Sequence, residues 1–137
     1  MYKKILVPMA LDHDVSHQTL ELAQTLIDAD GEIVALHVHE APQDSVRAYV
    51  DEDTIQAGYD SAKTRLAEKL VNLPTITPVL ITGHSARSII DYADGHEIDC
   101  IVMGSHKPGL SDYFLGSTAA RVVRHARCSV HVQRNPD

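Results

Sequence analysis

Short apolar runs alternate with longer stretches of helical periodicity along the whole chain, and this alternation constrains the fold more than any other feature. It is the sequence form of repeated βαβ units, which build a parallel sheet with helices packed against it. Ile5-Leu6-Val7 is a first strand, stopped by Pro8. Leu20, Ala23 and Ile27 recur at spacings of three and four between Ser16 and Asp28, with Leu22 and Leu26 alongside, the mark of an amphipathic helix. Gly31 follows where a helix C-terminal cap is expected. Ile33 to His39 is a second strand, and Glu40 to Asp53, with Pro42 and Asp51-Glu52-Asp53, reads as a long connection. Ile55, Tyr59, Ala62, Leu66, Leu70 and Leu73 mark one face of a long helix that Pro74 closes.

Ile76 to Ile81 is a third strand, and Pro78 within it predicts a sheet edge, because proline cannot donate to a ladder. Gly83 and Ser85 turn the chain into a helix carrying Ile89, Ile90 and Ala93. Ile98 to Met103 is almost continuously apolar, which predicts a central strand covered on both faces. A fourth helix carries Ala119, Val122, Val123 and Ala126, and Cys128 to Gln133 alternates in polarity as a second edge strand would. Edges at strands three and five, with one and four central, give the order 3-2-1-4-5. The expected fold is therefore a single α/β doubly wound sandwich over residues 1–137, with a five-stranded parallel sheet and helices on both faces. In such a sheet the winding reverses between strands one and four, and ligands bind outside the carboxyl ends of the strands at that reversal. The candidate segments are Pro8 to Ser16 and Gly104 to Thr118.

The second segment starts at a strand end and finishes at a helix start. Gly104 and Gly109 permit tight turns and close backbone approach, and Gly116, Ser117 and Thr118 would present N–H groups at a helix N-terminus, a ready anion site. Ser105 and His106 lie in the same loop, and Lys107 would add positive charge for a phosphate chain. A plainer reading is that the glycines only make turns while Ser117 or Thr118 caps the helix. Gly104 to Gly109 has the spacing of a Walker A loop, but Leu110-Ser111 follows where Lys-[Ser/Thr] is required, and no GxGxxG follows the first strand.

These residues resemble the universal stress protein family over essentially the whole chain. The likeness is carried by Lys4-Ile5-Leu6-Val7-Pro8, Leu36-His37-Val38, Gly83, Ile101-Val102-Met103-Gly104-Ser105-His106, Leu115-Gly116-Ser117-Thr118-Ala119, and Val123-Arg124-His125-Ala126 leading to Cys128-Ser129-Val130. The ATP-binding branch of that family carries Gly-x2-Gly-x9-Gly-[Ser/Thr] in this loop. Gly104 matches the first glycine and Gly116-Ser117 the last pair, while the middle position falls at or near Lys107. The Gly-Ser-His-Lys-Pro form is similar to the short F/G-type subgroup, in which nucleotide binding also occurs. The family usually places an aspartate two residues after the first-strand proline, and here that position is Ala10. The resemblance implies a cleft for an adenine nucleotide, ATP with or without Mg2+. Adenine would rest on backbone near Val38 and on the Pro8-Met9 turn, next to Ala10, with one customary polar anchor absent. It also implies a homodimer or higher oligomer formed through the last strand.

Charge and composition narrow the partners. Nineteen acidic residues against twelve Lys and Arg give a formal charge of −7, which opposes binding to nucleic acid or to an anionic membrane. With no Trp and one Phe, a base-stacking platform is not expected. The opening Met1-Tyr2-Lys3-Lys4 leads straight into a strand signal without the apolar stretch of a signal peptide, so a cytoplasmic location is expected. Nine histidines include His37 and His39 on one side of strand two and His13 and His17 about one helical turn apart, yet none has recognised zinc spacing, and no metal site is expected. Cys100 and Cys128 lie in or beside apolar runs, where reduced buried thiols sit. Arg121, Arg124, His125 and Arg127 gather near the end of the fourth helix, where cations oppose the negative end of the helix dipole. No nucleophile elbow, general base or arginine finger is legible, so no catalytic residue is expected and at most slow ATP hydrolysis. The functional expectation is a stress-response protein whose nucleotide occupancy regulates a dimeric module. The alternative is a nucleotide-independent interaction protein of the same fold, and an enzyme on this scaffold is a third class.

Overall fold

A computed structural model of the chain describes residues 1–11, 15–40, 42–105 and 115–134. Five parallel strands, β1 (Tyr2–Pro8), β2 (Ile27–His39), β3 (Thr77–Thr82), β4 (Cys100–Gly104) and β5 (Ser129–Gln133), pair in the order β3-β2-β1-β4-β5. The helices are α1 (Val15–Leu26), α2 (Asp44–Arg47), α3 (Glu52–Lys69), α4 (Ser85–Gly95) and α5 (Ser117–His125). The expected strand order and edge assignments are those observed.

The sheet divides the core in two because successive side chains of a strand point to opposite faces. Ile5 and Val7 of β1, Ile33 and Ala35 of β2, and Cys100 and Val102 of β4 face one way and meet Leu20 and Ala23 of α1 and Ala62 and Leu66 of α3. Leu6, Val34, Leu36, Val38, Ile101 and Met103 face the other way and meet Ile89 and Ala93 of α4 and Ala119 and Val122 of α5. The continuous apolar run of β4 is thus explained, since Cys100 to Met103 are buried from both sides. Pro78 pairs with Ala35 in β3. Gly83 N–H donates to His39 C=O (3.1 Å), so by strand alternation the Pro78 nitrogen points away from β2, where no donor is needed.

Several boundaries differ from the sequence expectation, most of them by one or two residues. The first helix ends at Leu26 rather than Asp28, and β2 begins at once with Ile27. Tyr2 pairs with Ile27 and Lys4 with Glu32, so β1 advances two residues while β2 advances five, and residues 28–31 form a bulge. Gly31 is part of this bulge and not a helix cap. A Cβ there would stand 2.6 Å from Ile27 Cγ1 and 2.9 Å from Lys3 O, so the close approach of the two strands requires glycine. The connection after β2 is also less irregular than expected, since it contains α2, which buries none of its residues. Asp51 caps α3 by accepting from Asp53 N–H at 3.2 Å, and the helix stops at Lys69, leaving Leu70 buried in the turn beyond it.

Candidate functional site

Partnered positions of β1 and β4 end at Leu6 and Ile101, so the strands run on to Pro8 and Gly104 without pairing to each other. The winding reverses here, and the carboxyl ends of β1 and β4 part around a gap.

One wall is the end of β1 against β2. Met9 N–H donates to Leu36 C=O at 2.8 Å, and the Met9 carbonyl accepts from His37 Nδ1 at 2.7 Å. Both main-chain polar groups of Met9 are therefore held within the protein, and its side chain is buried in the core shared with α1 and α3. The expectation that adenine rests on this turn is narrowed accordingly. Ala10 is exposed, and the Leu11 carbonyl accepts from Arg65 Nη2 of α3 at 2.9 Å. Leu36 directs its carbonyl toward β1, so Val38, two residues on, directs its N–H and C=O to the same side, beyond the end of β1. The Val38 side chain is buried against α4 and α5.

The opposite wall is the end of β4 and the start of α5. Gly104 pairs with Gln133, and Ser105, which is buried, donates its N–H to Gln133 C=O at 3.1 Å. The Ser105 carbonyl accepts from Gly116 N–H, so the loop that leaves β4 returns to the same point. Gly116 is the N-cap of α5, and its carbonyl accepts from Ala120 N–H at 2.9 Å. Having no side chain, it places no capping oxygen over the first turn, whose N–H groups lack intrahelical acceptors. Ser117 is exposed and Thr118 half-buried at this end. Gly104, Ser105, Gly116, Ser117 and Thr118 are thus brought together, whereas His106, Lys107 and Gly109 lie outside the described residues.

A model of the universal stress protein family matches residues 1–134. The chain belongs to this family. It is 33% identical over 150 residues to universal stress protein G of Salmonella typhimurium, covering 98% of this chain and 100% of the relative. It is 31% identical over 150 residues to a universal stress protein of Methanocaldococcus jannaschii, covering 99% of this chain and 84% of that one. Among solved structures it is similar to universal stress protein UspA from Lactobacillus plantarum, with TM-score 0.73, 26% identity, and 97% and 98% of the two chains covered. Two further folds of the family align with it. One is an Arabidopsis thaliana protein with AMP bound (TM-score 0.66, 20% identity, 98% and 94% covered), and the other a universal stress protein in complex with cAMP (TM-score 0.63, 21% identity, 97% of each covered).

Within this universal stress protein, two site-edge residues escape a reading by motif. His37 shares one side of β2 with His39, but its ring is committed to the Met9 carbonyl, and His39 lies edge-on to Tyr59 with centroids 6.0 Å apart. Glu40, read as part of a connection, accepts from Ser85 at the start of α4. Among the described residues no three of His, Cys, Asp and Glu gather as metal ligands, and no helix is long and apolar enough to cross a membrane. Cys100 and Cys128 are unbridged, and burial pushes both thiols above their ordinary range.

Proposed function

We propose that residues 1–137 act as a single domain that binds an adenine nucleotide at the β1–β4 reversal, ATP with or without Mg2+, and works as a regulatory module paired through β5. The observation that carries this reading is the start of α5. A glycine N-cap stands over a helix N-terminus, beside the buried Ser105, where the sheet changes winding direction. Helix N-termini of this kind favour anions through unsatisfied N–H groups and the helix dipole. The N–H groups of Ser117 and Thr118 would hold phosphate, their hydroxyls would add bonds, and Lys107 of the intervening loop is the sequence's candidate for a countercharge. Across the gap, the Val38 N–H and C=O would meet the base. The AMP and cAMP complexes of aligned family members support the ligand class. Pairing through β5 is supported by its position as an edge strand with ladder groups on one side only.

Ala10 and the internally bonded Met9 favour a second reading, a partner-binding protein whose cleft holds no nucleotide. One experiment separates the two. Purified protein is denatured and the supernatant searched for released nucleotide, and ATP, ADP and AMP are titrated calorimetrically into the nucleotide-free form. Released nucleotide or saturable heat supports the first reading. Absence of both, with no thermal shift at millimolar ATP, overturns it in favour of the second.

A further inference from the structure

The bond from His37 to Met9 falls where the β1–β2 ladder would otherwise add a rung. In a parallel ladder the N–H of one residue bonds the carbonyl preceding its partner, and the pattern repeats every second residue. Pro8 partners Leu36, and Met9 N–H donates to Leu36 C=O. The next rung in that register is Val38 N–H onto Met9 C=O. The Met9 carbonyl instead accepts from the ring of His37, a half-buried side chain on the α1/α3 face, at 2.7 Å. A carbonyl has no proton to give, so Nδ1 carries the hydrogen and His37 is the donor.

We infer that His37 is a positioning residue: by drawing the Met9 carbonyl toward its own ring on the α1/α3 face, and so off the line of the ladder, it ends the β1–β2 pairing one rung early and leaves the Val38 N–H for a ligand. This rests on the nucleotide reading above, in which the Val38 backbone meets the base, and deepens it by naming what keeps the Val38 N–H open. A backbone N–H beside a C=O on one strand edge offers a donor and an acceptor, and these match an aromatic ring nitrogen and an adjacent exocyclic amine. Adenine presents that pair as N1 and N6. Guanine presents an N–H and a carbonyl in the same places, the reverse polarity. The donor of the strand edge is thus what distinguishes the two bases, and His37 governs whether it is available. Arg65 holds the next carbonyl of the same segment but one, that of Leu11, so the segment is fixed from both β2 and α3.

The first test needs no nucleotide. Amide hydrogen exchange of the free protein should show Val38 exchanging faster than Leu36, and His37→Leu should slow Val38, because the released Met9 carbonyl becomes its acceptor. His37→Asn, which retains an N–H near the Nδ1 position, should keep Val38 fast. Val38 equally protected in all three proteins overturns the inference, whatever the protein binds. The second test compares AMP with 1-deaza-AMP, which lacks the N1 acceptor. The parent and His37→Asn should favour AMP by roughly tenfold, the scale of one hydrogen bond, and His37→Leu should bind the two alike. A purely structural role for His37 would weaken both ligands equally and leave the preference intact, which would refute the inference while the nucleotide reading stands. Failure of the parent to bind AMP or ATP at all counts against the nucleotide reading and leaves the exchange experiment to decide the role of His37.

Discussion

Glu40 Oε1 accepts from both the backbone N–H (3.3 Å) and the hydroxyl (2.8 Å) of Ser85, so the amino end of α4 carries a carboxylate supplied by the end of β2. The protein has therefore filled one helix N-terminus at the carboxyl side of its sheet with its own anion. At α5 the corresponding place is held by Gly116, without a side chain. On the nucleotide reading proposed above, this opposite treatment of two neighbouring helices would favour a phosphate at α5 over α4.

Replacing Glu40 with alanine removes the acceptor for an otherwise unpaired helical N–H. Stability should fall by about 1 kcal/mol, the scale of a lost cap. The midpoint of urea unfolding should move while its slope stays constant. Nucleotide affinity should be unchanged, since the described bonds of the carboxylate go to Ser85 of α4 and not to α5.

Gly116 lies at φ −59° and ψ 158°, an extended conformation open to any residue, so a side chain there is not excluded by the backbone. Gly116→Val should cost under about 1 kcal/mol in stability. It would place two methyl groups beside the N–H groups of Ser117 and Thr118, and affinity for ATP should drop by at least about tenfold, about 1.4 kcal/mol. Calorimetry alongside a thermal melt checks both expectations. Unaltered affinity would move the phosphate away from α5.

Asp99 Oδ2 accepts from Lys3 N–H at 2.6 Å and Lys4 N–H at 2.9 Å. The Lys3 bond first, and the Lys4 bond second, hold its carboxyl below the ordinary value. A depressed folded value means that this contribution is in place above the unfolded value, near pH 4, and is lost as pH falls through the folded one. Asp99→Asn should therefore unfold at lower urea than the parent around pH 7, and the gap should close below about pH 4. A gap that is constant across that range would contradict the role given to the carboxylate.

Leu6 has no exposed surface in the centre of the sheet, whereas Val123 on α5 is 46% exposed. Leu6→Ala should cost about 2–5 kcal/mol, a large share of the about 5–15 kcal/mol that a domain of this size has. Val123→Ala should stay within about 0.5 kcal/mol. Urea unfolding of the two variants tests which face of α5 packs on the sheet, because Val122 beside it is fully buried.

The fold was legible where one residue's chemistry admits one place in a sheet. Pro78 had to stand at an edge, the run Ile98 to Met103 had to be covered on both faces, and the alternation of Cys128 to Gln133 marked the other edge; with the succession of elements these set the order of all five strands. The boundary at Ile27 was not legible, because this residue continues the helical spacing of Leu20 and Ala23 and also suits a strand; pairing with Tyr2 decides the matter. At the site, Gly116-Ser117 announced itself because glycine before a helix has a local meaning. His37 and Glu40 did not. Their partners lie 28 and 45 residues away, and a side chain reaching that far along the sequence leaves no spacing to read.

Pro78 has a consequence for how copies of this chain can associate. Its nitrogen interrupts the outer edge of β3, while β5 presents residues 129–133 with no proline among them. A sheet with two competent edges can add neighbours at both and grow into a fibre, whereas a sheet with one competent edge has no second site from which to extend. If copies pair through β5 as proposed above, edge-to-edge association would therefore be self-terminating. Two chains so joined would turn only their blunted β3 edges outward.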